Sequence, residues 1–218
     1  RKESSAASDV YKRQFIDNSK ISFKSKLNRK IKVSIQKDSG CSQFGSLIIQ
    51  GIKNCESPRW LKSHLSSIGL KPISAVVDIT NFIMIDLNRP MHAYDLNKIA
   101  KKEIIVRKSK SNERFLALDD KEYNLPTNSC VIADKNSVLG LGGIVGGKTS
   151  SISDNTCDIV LEAAAFDPIS ISSTSKKLSL NTDAKYRFER GVDPNSIEEG
   201  LKIACLLYTS DAADDSLR

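Results

Sequence analysis

The chain has 218 residues, of which 39% are hydrophobic and 27% charged, the balance of a globular protein with an apolar core. No apolar run approaches the ~20 residues needed to cross a bilayer, and no basic-then-apolar leader opens the chain, so a cytoplasmic protein without membrane contact is expected. A net charge of +7 suits an RNA-contacting surface without demanding one.

Both ends read as foreign. Residues 4–14, SSAASDVYKRQ, and 205–215, CLLYTSDAADD, can be encoded by opposite strands of one DNA that looks like a transposon sequencing adapter. Residues 1–14 and 205–218 are therefore set aside, and the charge excess survives that trimming unchanged. Cys41, Cys55, Cys130 and Cys157 remain, none in a CxxC pair, with only His64 and His92 to help ligate a metal. Free thiols in a reducing compartment are expected, and no metal site.

Residues 15–30 are polar and Lys-rich, a linker or the edge of a preceding domain. IKVSI (31–35) and SLIIQGI (46–52) alternate as strands do. Ser57 then predicts an N-cap, with Pro58 at the first helical position. Trp60, Leu61, Leu65 and Ile68 share one face of that helix, Gly69 stops it, and His64 falls off the face toward solvent.

In ISAVVDITNFIMIDLNRP (73–90) the apolar residues surround a helix almost fully, which predicts burial on most sides. Asn88 can take the left-handed conformation that ends the helix, and Pro90 prevents its continuation. Asp78, Thr80 and Asn81 are polar groups within it, so they need partners or face a cavity.

From residue 103 the period returns to two, through EIIVRKS, RFLALDD, KEYNL, SCVIAD and SVLGLGG, with turns at Asp119–Asp120 and Lys135–Asn136. DIVLEAAAF (158–166) is a further strand. Asp167 and Pro168 cap a helix to about Leu178, and Asp193 and Pro194 start a last one. Without βαβ regularity the fold class is α+β, with mixed or antiparallel sheets and packed helices.

GGIVGGKT (142–149) has the spacing of a phosphate-binding loop. Such a loop needs a helix directly after its Lys-Thr, so that N–H groups and the helix N-terminus converge on phosphate. KTSSISDNTCD follows instead, with no helical apolar period. Nucleotide binding here is not expected. The glycines read either as a tight turn between strands or as a pocket wall of bare main chain.

VVDITNFIM, PMHAYDL, LGGIVGG, VLEAAAFDP and NTDAKYRFERGVDP occur in that order. Together they resemble the B3/B4 region of bacterial phenylalanyl-tRNA synthetase β subunits, over about residues 31–204. The resemblance implies an editing domain that hydrolyses tyrosine wrongly attached to tRNA(Phe). An apolar phenylalanine site cannot strongly reject an isostere that adds a hydroxyl, so a second sieve is required.

By the same resemblance, Glu162 occupies the position that accepts the tyrosine hydroxyl. A charge flanked by Val160, Leu161 and three alanines also favours a pocket over a surface ion pair. Thr80, Asn81 and His92 fall at catalytic positions, with His92 holding the attacking water or the terminal ribose. Gly143, Thr182 and Ala184 complete the substrate pocket, the small Ala184 leaving room for a ring. With no activated Ser or Cys nucleophile, direct water attack on the ester is implied. Arg187, Glu189 and Arg190 either hold the tRNA end or form an internal ion-pair network.

The resemblance further implies the tRNA(Phe) acceptor end and a synthetase α subunit as partners, in a heterotetramer. ATP and Mg2+ would serve the whole enzyme in that α subunit, with no cofactor in this segment. Two rival readings are a non-catalytic tRNA-binding or subunit-packing module and a nucleotide site at GGIVGGKT. Three departures stand out: Asn88–Arg89 where the family commonly has Gly-Gln, Tyr94 for a common Phe, and Ala75 for a larger polar residue in some members. Neither of the first two is expected to touch the pocket positions.

Overall fold

The computed structural model describes residues 30–214, with side chains to residue 208. The N-terminal stretch set aside as foreign, and the linker up to residue 29, lie outside the described residues.

Among the described residues, three sheets and five helices form an α+β fold, as the alternating periods predict. Cys41–Ile49 (β2) pairs antiparallel with Ile159–Phe166 (β10), which pairs on its other edge with Met91–Asp95 (β3). Lys32–Ile35 (β1) runs parallel to Glu103–Lys108 (β4). Cys130–Ala133 (β7), Val138–Leu141 (β8) and Val145–Gly146 (β9) extend that second sheet in the order β1-β4-β7-β8-β9. Arg114–Leu116 (β5) and Glu122–Asn124 (β6) form a separate hairpin whose turn places Asp120 at φ +62°.

All eight residues of β10 are buried, because both faces of this central strand are covered. Ile159, Leu161, Ala163 and Ala165 face a helical layer made by Arg59–Ser67 (α1), Ala75–Asp86 (α2) and Ile197–Asp214 (α5). Val160, Ala164 and Phe166 point the other way, into the larger core shared with β4, β7 and β8. Strand geometry thus assigns Glu162, two residues from Val160 and two from Ala164, to the space between the two sheets.

Helix α1 buries Leu61 and Leu65, while Trp60 and Ile68 at the edges of the stripe stay about half exposed and His64 is exposed. Its start differs from expectation. Pro58 is the N-cap and no side chain caps the helix. Ser57 instead donates its hydroxyl to Asp78 Oδ2 at 2.5 Å, because that carboxylate is buried and needs donors.

The end of α2 is as predicted, with Asn88 at φ +50°. Pro168–Leu178 (α3) is capped by Asp167, which accepts from Ser170 N at 2.7 Å, and Ser179 ends it at φ +54°. Neither β3 nor the short helix Asp183–Phe188 (α4) has a counterpart in the sequence reading. From Cys205 onward the chain continues α5, and Tyr208 is buried there with its hydroxyl donating to Val76 O at 2.7 Å.

Arg89 has no exposed surface. It donates to Ala164 O at 2.9 Å, to Ser196 Oγ and to Asp193 O, tying β10 to the start of α5. Burial of the guanidinium draws its pKa down, and the nearby Asp193 opposes that. The Asn88–Arg89 departure is therefore structural, as a turn and a buried strut.

Candidate functional site

A cavity of about 120 Å3 lies between the two sheets. β3 contributes His92 and Tyr94 to its wall, β10 contributes Glu162, and the β8–β9 hairpin contributes Gly143 and Gly146. α4 closes one side with Ala184 and Phe188. An apolar cavity of ~150 Å3 can take a benzene ring, so this one is close to the scale of a single aromatic side chain.

Antiparallel register fixes the polar pair. His92 stands directly opposite Glu162, and Tyr94, two residues on, shares the face of His92. The Tyr94 ring packs edge-on against His92 at 4.5 Å and 78°, and its hydroxyl donates to Glu162 Oε2. The expectation that Tyr94 would leave the pocket positions untouched is thus overturned: it bonds one of them and packs on another. Period-two alternation in MHAYD carries the missing signal, since residues 92 and 94 of a strand share a side.

Burial governs the electrostatics. It raises Glu162 to about 7, partly countered by the hydroxyl of Tyr94, which stabilises the ionised form. Tyr94 is pushed well above its ordinary value by burial and then by the neighbouring carboxylate. His92 is lowered to about 4 by burial, so at neutral pH its ring is uncharged. Its Nε2 is enclosed and has no protein partner among the described residues. An unpaired buried nitrogen is costly, and a water or ligand in the cavity would relieve it.

The glycine cluster is a hairpin. β8 and β9 are joined through residues 142–144, with Gly143 at φ +69°, a conformation costly for any residue bearing a Cβ. Gly146 does different work: a Cβ there would lie 2.2 Å from His92 Cε1 and 2.6 Å from Nε2. Turn and pocket wall are therefore the same structure. No helix follows Lys148, whose ammonium pairs with Asp120 at 2.8 Å, so the phosphate-loop geometry is absent.

The B3/4 domain family matches residues 40–210. This chain belongs to that family. Over 177 residues the B3/4 chain is 45% identical to a phenylalanine–tRNA ligase β subunit of Bradyrhizobium diazoefficiens, covering 81% of this chain and 22% of that one. A Thermotoga maritima protein of the same name is 45% identical over 176 residues, 80% of this chain and 22% of its own. The chain thus spans about a fifth of the length of these curated relatives. An N-terminal fragment of the phenylalanyl-tRNA synthetase β-subunit from Pyrococcus horikoshii superposes with a TM-score of 0.48 at 11% identity, over 69% of this chain and 49% of that one. So slight a structural likeness adds nothing to the assignment.

Of the remaining residues singled out by sequence, Thr182 does not line the cavity but bonds Ile144, which does. It caps α4, accepting from Lys185 N at 3.2 Å, and donates to Ile144 O at 2.7 Å, pinning the glycine hairpin to that helix. Thr80 and Asn81 do not line the cavity. Thr80 donates to Val77 O at 2.7 Å within its own helix, and Asn81 is half-buried on α2, beyond the β3–β10 layer.

Arg187, Glu189 and Arg190 form ion pairs in this B3/4 domain. Arg187 meets Asp183 at 3.4 Å, while Glu189 takes Lys185 at 2.9 Å and Arg190 at 2.7 Å. Arg190 also stacks on the half-exposed Tyr186 at 3.6 Å. Among the described residues no helix is long and apolar enough to cross a membrane.

Proposed function

We propose that this chain is the editing domain of a phenylalanine–tRNA ligase β subunit and hydrolyses tyrosine from mischarged tRNA(Phe). The supporting observation is one aromatic-sized cavity that gathers His92, Glu162, Gly143 and Ala184 from four separate segments. An enclosed imidazole nitrogen with no partner among the described residues stands beside a carboxylate suited to a phenol.

Water held on His92 Nε2 adds its oxygen to the ester carbonyl carbon. The bond to the ribose oxygen breaks, and that oxygen takes the proton the attacking water gives up, restoring the sugar hydroxyl. At a pKa of about 4 His92 is a weak base, so its contribution is to orient the water more than to deprotonate it. The ester is already labile, and positioning supplies the rest. Gly143 presents bare main chain to the aminoacyl group, Ala184 makes room for its ring, and Thr182 holds the hairpin in place. Thr80 and Asn81, proposed from resemblance as catalytic, would act through α2 rather than from the cavity wall.

In the same reading the domain works in a cytoplasmic heterotetramer, beside an α subunit that uses ATP and Mg2+ for aminoacylation. The partner of this site is the acceptor end of tRNA(Phe). A non-catalytic packing role is the second reading, favoured by the resident donor on Glu162.

Deacylation of Tyr-tRNA(Phe) and Phe-tRNA(Phe) by the complete ligase separates the two. Preferential Tyr-tRNA hydrolysis that collapses in Glu162→Ala supports editing. Equal rates on both substrates, or no loss in that variant, would defeat it.

A further inference from the structure

We propose that Tyr94 is a resident phenol on the acceptor carboxylate of this cavity and sets how strongly a phenolic side chain is preferred over a phenyl one. The inference rests on the editing reading of the cavity and makes Tyr94 its specificity-determining residue.

The position of this hydroxyl is dictated by the fold. Tyr94 is 1% exposed, on the face of β3 that carries His92, and diagonal to Glu162 across the β3–β10 pair. Packing against His92 fixes its ring edge-on, and its hydroxyl runs beneath Gly140, where an added Cβ would be 3.5 Å away. Among the described residues it is the one hydrogen-bond donor to the Glu162 carboxylate.

A substrate phenol brings the same donor to the same acceptor. An oxygen that already accepts a charge-assisted bond has less negative charge to offer a second donor, and the resident bond needs no association step. A phenyl side chain makes no such demand and is unaffected by the competition. The effect of Tyr94 is therefore to narrow the difference between the two ligands.

The test titrates the full chain with L-tyrosinamide and L-phenylalaninamide by calorimetry at about pH 8.5, above the titration of Glu162. Tyr94→Phe keeps the ring and removes only the hydroxyl. The ratio of tyrosinamide to phenylalaninamide affinity is expected to rise about tenfold in that variant, the scale of one hydrogen bond to a charged group. Phenylalaninamide affinity stays within about twofold, which doubles as the control for an intact cavity. Adding Glu162→Gln to Tyr94→Phe removes the gain.

A ratio that stays the same or falls overturns the proposal. So does a gain that survives Glu162→Gln, and so does failure of Tyr94→Phe to bind either amide. Because the readout is binding, a wild-type ligase that fails to deacylate Tyr-tRNA(Phe) sinks the catalytic reading and leaves the ratio to decide the role of Tyr94.

Discussion

His92 and Glu162 face each other across the β3–β10 pair, one held neutral by burial and the other held partly protonated by it. Their linkages to folding oppose one another. His92 falls from 6.5 to about 4, so its stabilising contribution is present above pH 6.5 and lost as pH drops toward 4. Glu162 rises from 4.5 to about 7, so its contribution is complete below pH 4.5 and lost as pH climbs toward 7. Each amounts to about 3 kcal/mol, and between pH 4.5 and 6.5 they cancel. Urea unfolding is expected to show nearly flat stability in that window. Glu162→Gln should expose a rise with pH, and His92→Gln a fall. Identical slopes in all three proteins would contradict the burial of this pair.

Gly146→Ala puts a methyl where the His92 ring lies, at 2.2 Å from Cε1. The imidazole also packs on the Tyr94 ring at 4.5 Å, so moving clear of the methyl disturbs both side chains. Deacylation of Tyr-tRNA(Phe) is expected to fall 10- to 100-fold, roughly what misplacing a positioning group costs. Thermal melting of the same variant separates a displaced ring from an unfolded chain.

Arg89→Ala removes the strut between Ala164 O and the Asp193–Ser196 turn, taking the guanidinium donor from the buried Ala164 O. The expected loss is about 3 kcal/mol of folding stability, measured by denaturant titration. A loss below about 1 kcal/mol would mean that water replaces the guanidinium.

Lys148→Ala tests the phosphate-loop spacing. The ammonium pairs with Asp120 at an exposed site, so stability should change by less than about 0.5 kcal/mol. Equilibrium dialysis with ATP should detect no binding that depends on Lys148. Affinity lost on this substitution would revive a nucleotide site.

One acidic side chain in an otherwise apolar strand pointed to Glu162, the family resemblance pointed to His92, Gly143 and Ala184, and all four line one cavity. Thr80 and Asn81 show the limit: an all-apolar helix with polar residues signals burial, but not which layer those residues face. Thr80 resolved its need locally, through a carbonyl one turn back.

Local chemistry determined the α+β class, the αL end of α2 at Asn88, the Asp167–Pro168 cap and the lack of a helix after Lys148, because periodicity, caps and breakers act within a few residues. Only the tertiary structure decided that Ser57 would serve Asp78 instead of capping α1, and that the hydroxyl meeting Glu162 would come from Tyr94. Those partners are 21 and 68 residues apart. A buried polar group takes whichever donor the packed layers bring within reach, and sheet register across distant strands, not spacing along the chain, makes that choice.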